Sequence, residues 1–206
     1  MVLLAIACGG DGAEGPSPTD TSAPAGPTLP PVPTQPPRAT STPVATHPSG
    51  ARTNVAVIDG VLDALADGDA EGLYDQLSFH PYRCDNAPAG TEGSNPCPPG
   101  VPEGSAVDVV AEGGCEVRFL ARELSSLVSE VVGYTREASA QGVYAVTEVQ
   151  QGRLASPLPL RYLIILSGGY TLLLDDAGVT HLGLPCGGVG PADLYHPADR
   201  AILAPL

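Results

Sequence analysis

The sequence predicts an α+β fold, with N-terminal helices packed on a curved antiparallel sheet and a disordered Pro/Thr-rich stalk ahead of them. Three observations predict it. Pro, Ser, Thr, Ala and Gly dominate up to about Gly50, apolar residues recur at helical spacing from Val55, and beyond about Val143 the apolar period changes to two. An order of helices first and a meander last is that of an α+β domain.

Of the 206 residues, the folding part from the end of the Pro-rich stretch is about 156, one domain's worth. A chain of that length buries roughly 68–70% of the surface it exposes when unfolded. The expected organisation is a leader over 1–8, a linker over 9–53 and a globular domain over 54–206. The formal charge is -14, and all nine basic residues are Arg. So large an excess of carboxylates repels a phosphate backbone, and nucleic acid is excluded as a partner.

The chain opens "MVLLAIACGG", an apolar run ending in small residues and a cysteine. Ala5-Ile6-Ala7-Cys8 resembles the lipobox of bacterial lipoproteins, with Ala5 where Leu is usual. The resemblance implies a signal peptide cut before Cys8, lipidation of that thiol, and display on the outer face of the cytoplasmic membrane. The basic and longer apolar regions that precede such a box are missing, and a start codon upstream of Met1 would supply them. Residues Val2 to Ala7 cover only roughly 10 Å of a ~30 Å hydrocarbon core, too little to span it.

"GPSPTDTSAPAGPTLPPVPTQPPRATSTPVATHPSG" follows, with eleven prolines and no aromatic residue. Such a segment is semi-extended, with an upper reach near ~130 Å at ~3.1 Å per residue, and reads as a stalk between membrane and domain. Its Ser/Thr density permits O-glycosylation, whereas no Asn-x-Ser/Thr sequon occurs.

Setting Cys8 aside leaves Cys84, Cys97, Cys115 and Cys186. An even number without a CxxC pair reads as two disulfides in an exported domain, not as a zinc site. Of three connectivities the favoured one joins Cys84 to Cys97, closing "CDNAPAGTEGSNPC", which leaves Cys115 with Cys186. Each bond is worth about 3–4 kcal/mol in the chain-entropy account.

Within the domain, Asn54 is the expected N-cap of a first helix with Val55, Ile58, Leu62 and Leu65 on one face. Gly68 ends it, and Asp69 caps a second helix that aligns Leu73 and Leu77. "HPYRCDNAPAGTEGSNPCPPGVPEG" is a long loop with turn chemistry throughout. "SAVDVV" is strand-like, and Leu120, Leu124, Leu127 and Val131 are spaced as the stripe of a third helix. "VYAVTEV", "LRYLIILS", "YTLLLDD" and "VTHLGLP" are strands, the last two joined by a tight hairpin at "DDAG".

That order, with "ALADGDAEGLYDQL" spanning two helices, resembles the NTF2-like (cystatin-like) fold over about residues 54–186. The resemblance implies a cone around an apolar pocket, used in that family for isomerase, dehydratase or hydrolase chemistry or for binding alone; fold does not choose among them.

Catalysis of the isomerase kind needs a general base facing an oxyanion donor. Tyr74, Tyr134, Tyr144, Tyr162 and Tyr170 offer no definite Asp–Tyr pair, and strand tyrosines more commonly pack across strands. His181 alternates with Thr180 and Leu182 on the last strand and is the candidate for a residue aimed into the cone, ahead of His80 with Arg83. Asp67, Asp69 and Glu71 before Gly72 imitate half of an EF-hand loop, but Ser78 stands where the bidentate acid belongs, so helix capping explains the acids. Ser167 in "LSGGY" lacks the preceding Gly of a nucleophile elbow. No P-loop, GxGxxG or HExxH occurs, so no cofactor and no metal is implied. The expectation is a lipid-anchored binding or interaction module for an unidentified protein or small apolar ligand. The rival readings are an enzyme acting on a small apolar substrate, with His181 or an acid as base, and a structural envelope component.

Overall fold

The structure is a computed structural model that describes residues 44–48, 50–86, 94–154 and 156–206. Cys8 and the expected stalk up to residue 43 lie outside the described residues. The domain's contacts reach back to His47, whose N–H donates to the Val143 carbonyl at 2.9 Å and whose Nε2 donates to the Ala204 carbonyl at 2.7 Å.

Helix α1 runs Ala56–Asp67 and α2 runs Ala70–Asp75. Asn54 is not the cap of α1: it sits at φ 60°, and Val55 holds the cap position without a side-chain bond. The local acceptor is Asp59, which takes the Thr53 N–H at 2.8 Å and its hydroxyl at 2.7 Å. Burial raises the Asp59 carboxyl, but these bonds and the nearby Arg52 outweigh it and hold the pKa below the ordinary value. Gly68, at φ 64°, closes α1 by donating to the Ala64 and Leu65 carbonyls. Asp69 caps α2 as the sequence predicts, accepting the Gly72 N–H at 2.9 Å.

The segment read as one long loop begins with strand β1, His80–Arg83, which pairs antiparallel with β2, Ala106–Gly113. The third helix starts later than expected. Leu120 lies on β3, Val117–Ala121, antiparallel to β2, and α3 spans Ser126–Ala138 with Leu127, Val131, Tyr134 and Ala138 buried. Gly113, at φ 135°, makes the turn from β2 to β3 possible, because a Cβ there would run into the Glu116 carbonyl. Then come β4 (Val143–Glu148), β5 (Tyr162–Leu166), β6 (Thr171–Leu174) and β7 (Val179–Gly183). Two elements absent from the sequence reading follow, the single-turn helix α4 (Pro191–Leu194) and β8 (Arg200–Leu203).

The fold is α+β, but its sheet is mixed, not antiparallel. Eight strands form one sheet in the order β1-β2-β7-β6-β5-β4-β8, with β3 also on β2. The exception to antiparallel pairing is β2 with β7, registered Ala111 to His181 and Gly113 to Gly183. Val109 pairs with both His80 and Ala121. Since a residue has only two edges, β1 and β7 lie end to end along one edge of β2 and β3 takes the other.

Alternation along the strands divides the core. Val110, Val146, Ile164, Leu172, Leu174 and Leu182 meet α1, α2 and α3 on one face. Val109, Ala111, Phe119, Ala145, Leu163 and Leu173 face the other way, under the segment from Val149 to Leu160 and the stretch around Leu194. No helix among the described residues is long and apolar enough to cross a membrane.

Leu127 is wholly buried and its neighbour Val128 is 57% exposed. Leu127→Ala should therefore lower the unfolding free energy by about 2–5 kcal/mol, while Val128→Ala should change it by less than about 0.5 kcal/mol. Urea unfolding followed by circular dichroism measures both.

Candidate functional site

The sheet face away from α1–α3 carries a cavity of about 540 Å³, well within the range of small-molecule sites. Its floor is built by strand alternation: Leu163, Leu173 and His181 project from β5, β6 and β7, and Phe119 from β3. Tyr82 of β1 stacks on Phe119 with ring centroids 4.2 Å apart. Leu154, Pro157, Val189 and Leu194 close over the floor from the connecting segments. The helix-covered face is filled instead by Ile58, Leu73, Leu127 and their partners.

His181 therefore does line an apolar cavity, though on the opposite face from the helices. The sequence did not settle which face of β7 was inside, and both are: Leu182 points to the helices and His181 to the cavity. The ring is mostly buried, and burial pushes its pKa below the ordinary 6.5, opposed by a bond to the Gly113 carbonyl at 3.2 Å. A carbonyl only accepts, so Nε2 carries the hydrogen and the neutral ring keeps its acceptor at Nδ1.

The charged groups on the wall are committed elsewhere. Arg153 donates through Nε to Asp199 Oδ1 at 2.9 Å and pairs with Oδ2 at 2.5 Å, and the buried Asp199 also accepts the Gln150 N–H. Asp193 accepts the Gly190 N–H at 2.9 Å at the start of α4. The Ser156 hydroxyl donates to the Leu158 carbonyl.

Both disulfides border this region. Cys84–Cys97, with Cα atoms 4.8 Å apart, closes the loop after β1, and Cys115–Cys186, 5.2 Å apart, ties the β2–β3 turn to the segment leaving β7. Cys186 is itself part of the cavity wall. This is the pairing favoured from sequence, and the closeness of both Cα pairs fits ordinary disulfide geometry.

His80 joins a second cluster that the sequence did not foreshadow. Its Nε2 lies 2.7 Å from Asp175 Oδ2, and the Ser78 hydroxyl donates to the same oxygen at 3.0 Å. A serine–histidine–aspartate relay needs the serine on one ring nitrogen and the acid on the other. Here the acid takes the nitrogen nearest the serine, so the arrangement pins the end of α2 to the β6–β7 hairpin. Burial raises the Asp175 carboxyl, but the Ala177 and Gly178 N–H groups, with His80 and Ser78, hold its pKa below the ordinary value.

The remaining candidates are structural. Tyr134, fully buried, donates to the Thr171 carbonyl at 2.7 Å and meets Tyr170 edge-on, and burial drives its pKa well above the ordinary value. Tyr170 is bonded to Glu137, which raises its pKa too. The Ser167 hydroxyl serves a turn, bonded to Gln141 and the Gly142 N–H. Among the described residues no three His, Cys, Asp or Glu side chains cluster as a metal site.

Sequence reasoning missed Tyr82, Phe119, Val189 and Leu194 as cavity residues. The signal available for the first two was alternation: Tyr82 shares a face with His80, and Val117 and Phe119 share one opposite Leu120. Comparison with protein-family models, curated proteins and solved structures finds no match to this chain.

Folded His181 binds a proton less readily than the unfolded chain does, so its contribution to stability is full above about pH 6.5 and declines as pH falls below that. Wild type should lose more stability between about pH 7.5 and about pH 5 than His181→Phe does, measured by urea unfolding at the two values.

Proposed function

We propose that this protein is a lipid-anchored binding protein on the outer face of a bacterial cytoplasmic membrane, holding a small, largely apolar ligand in the cavity beside His181. The observation that carries the reading is the cavity itself: about 540 Å³ under an apolar roof, with a single imidazole on its floor. Ligand sites are mostly apolar concavities with a few fixed polar groups. Binding is favoured over isomerase, dehydratase or hydrolase chemistry because the charged groups near His181 are not free to share a proton transfer with it, and the Tyr82 phenol on the wall is stacked on Phe119. The Arg153, Asp199 and Asp193 groups nearest the cavity already have partners.

The domain is read as a divergent NTF2-like cone. The helix pair around Gly68-Asp69, the helix-covered face and the long mixed sheet support that reading. The lipid anchor rests on the Ala5-Ile6-Ala7-Cys8 box and the Pro/Thr-rich stalk behind it. The two disulfides fit an oxidising compartment outside the cytoplasm.

Two measurements test the two halves. Titration with the uncharged fluorophore N-phenyl-1-naphthylamine should give a saturable fluorescence rise at one site per chain. Val189→Trp, which fills the rim at a position 38% exposed, should weaken it by about fivefold or more, the equivalent of about 1 kcal/mol. No saturable binding by the folded wild type would sink the binding half. Expressed with its upstream codons in a bacterium of similar envelope, membrane-extracted protein should show the intact mass of a chain cut before Cys8 and carrying a diacylglycerol. An unmodified, uncleaved chain would sink the anchoring half.

A further inference from the structure

Resting on the binding reading above, we infer that the cavity selects an uncharged ligand carrying a hydroxyl or N–H donor at one end, which His181 Nδ1 accepts, and discriminates against carboxylates. Among the neutral side chains of the wall, the imidazole has its polarity fixed by its own hydrogen bond. Its Nε2 hydrogen is held by the Gly113 carbonyl at 3.2 Å, so the neutral ring can offer only a lone pair at Nδ1. No hydrogen bond engages Nδ1 among the described residues. The Tyr82 and Thr171 hydroxyls, also on the wall, can rotate to donate or accept and so impose no polarity. Leu163, Leu173 and Leu184 share the wall with the ring, and a mostly buried acceptor beside apolar side chains is costly until a donor meets it.

Charge is selected against from both sides. A ligand carboxylate would present acceptors to an acceptor, and the cation nearest the cavity, Arg153, is neutralised by the fully buried side chain of Asp199. The chain's charge of -14 adds a repulsive field. A ligand cation would lose its hydration against apolar walls, with the nearest wall acid, Asp193, already accepting the Gly190 N–H.

Three probes of one shape decide the matter: 2-naphthol, its methyl ether 2-methoxynaphthalene, and 2-naphthoate, each titrated calorimetrically at about pH 7, where the naphthol is un-ionised. Wild type should bind the naphthol about tenfold tighter than the ether, as one desolvated hydrogen bond implies, and the naphthoate weakest. His181→Phe should bring naphthol and ether level, and His181→Gln, which keeps an acceptor, should restore part of the difference. Should His181→Phe fail to fold, His181→Leu takes its place in the comparison, and a naphthol preference that persists in the folded variant overturns the assignment to His181. Equal binding of naphthol and ether overturns the inference, as does a preference for naphthoate, which would assign recognition to Arg153. If N-phenyl-1-naphthylamine binds while the naphthol shows no advantage, only this inference falls. If none of the four compounds binds, the binding reading falls with it.

Discussion

The pairing of β2 with β7 is the constraint on which the rest depends. Parallel neighbours cannot be joined by a turn, so the chain must travel through β3, α3 and three further strands before β7 returns to β2. The return leaves β7 interior to the sheet, with β6 on its other edge. Its side chains are consequently enclosed on both faces, Leu182 against the helices and His181 on the cavity wall. The same register brings the His181 ring within reach of the Gly113 carbonyl, two residues beyond its own partner Ala111. Cys115–Cys186 lies just past this pair and holds the ends that the hydrogen bonds align.

The two faces are filled by different means, and the difference produces the cavity. On one side three helices bring rows of Leu, Ile and Val at regular spacing, and interdigitation leaves well-packed residues such as Ile58, Leu73 and Ile164 without exposure. On the other, the cover is connecting chain between β4 and β5 and around α4. Such chain must satisfy its own backbone, as in the Arg153 N–H to Gln150 carbonyl bond and the Asp199 bond to the Gln150 N–H. It supplies fewer apolar side chains per residue than a helix does. That looser cover leaves the cavity beside Leu163 and Leu173, where a ligand of matching shape would add dispersion contacts.

How much of this was legible follows from the range of each interaction. Local periods were readable: Leu62 and Leu65, the Asp69 cap, and the β5–β6–β7 meander with its DDAG hairpin are all set by neighbours in sequence. Leu120 and Leu127 fit a helical stripe equally well, and what places Leu120 on a strand is pairing with Val110, which local spacing does not contain. The same holds for His80–Arg83, too short to outweigh the turn residues around it, and for Arg200–Leu203, which owes its strand to β4. His181 was legible as a residue type and a position. Its tautomer and its cavity depend on Gly113 and on Tyr82, Phe119 and Leu194, all distant in sequence.

The charge distribution bears on the cavity through what it leaves over. Arg52, Arg118, Arg122, Arg136, Arg153, Arg161 and Arg200 each lie against a carboxylate, and Arg83 donates to the Gly104 carbonyl. The described guanidinium groups are thus spent inside the domain, and the surplus carboxylates set the sign of its outer field. Most of those pairs are solvent-exposed and contribute little to stability. Arg153–Asp199 differs, because Asp199 is buried and a lone charge there would be costly. Pairing neutralises the guanidinium on the cavity wall. The proposed binding of uncharged ligands accords with an outer field that repels anions and with a cavity whose one guanidinium is neutralised, and such ligands are also the molecules that partition into the membrane beside which the proposed Cys8 anchor would hold the domain.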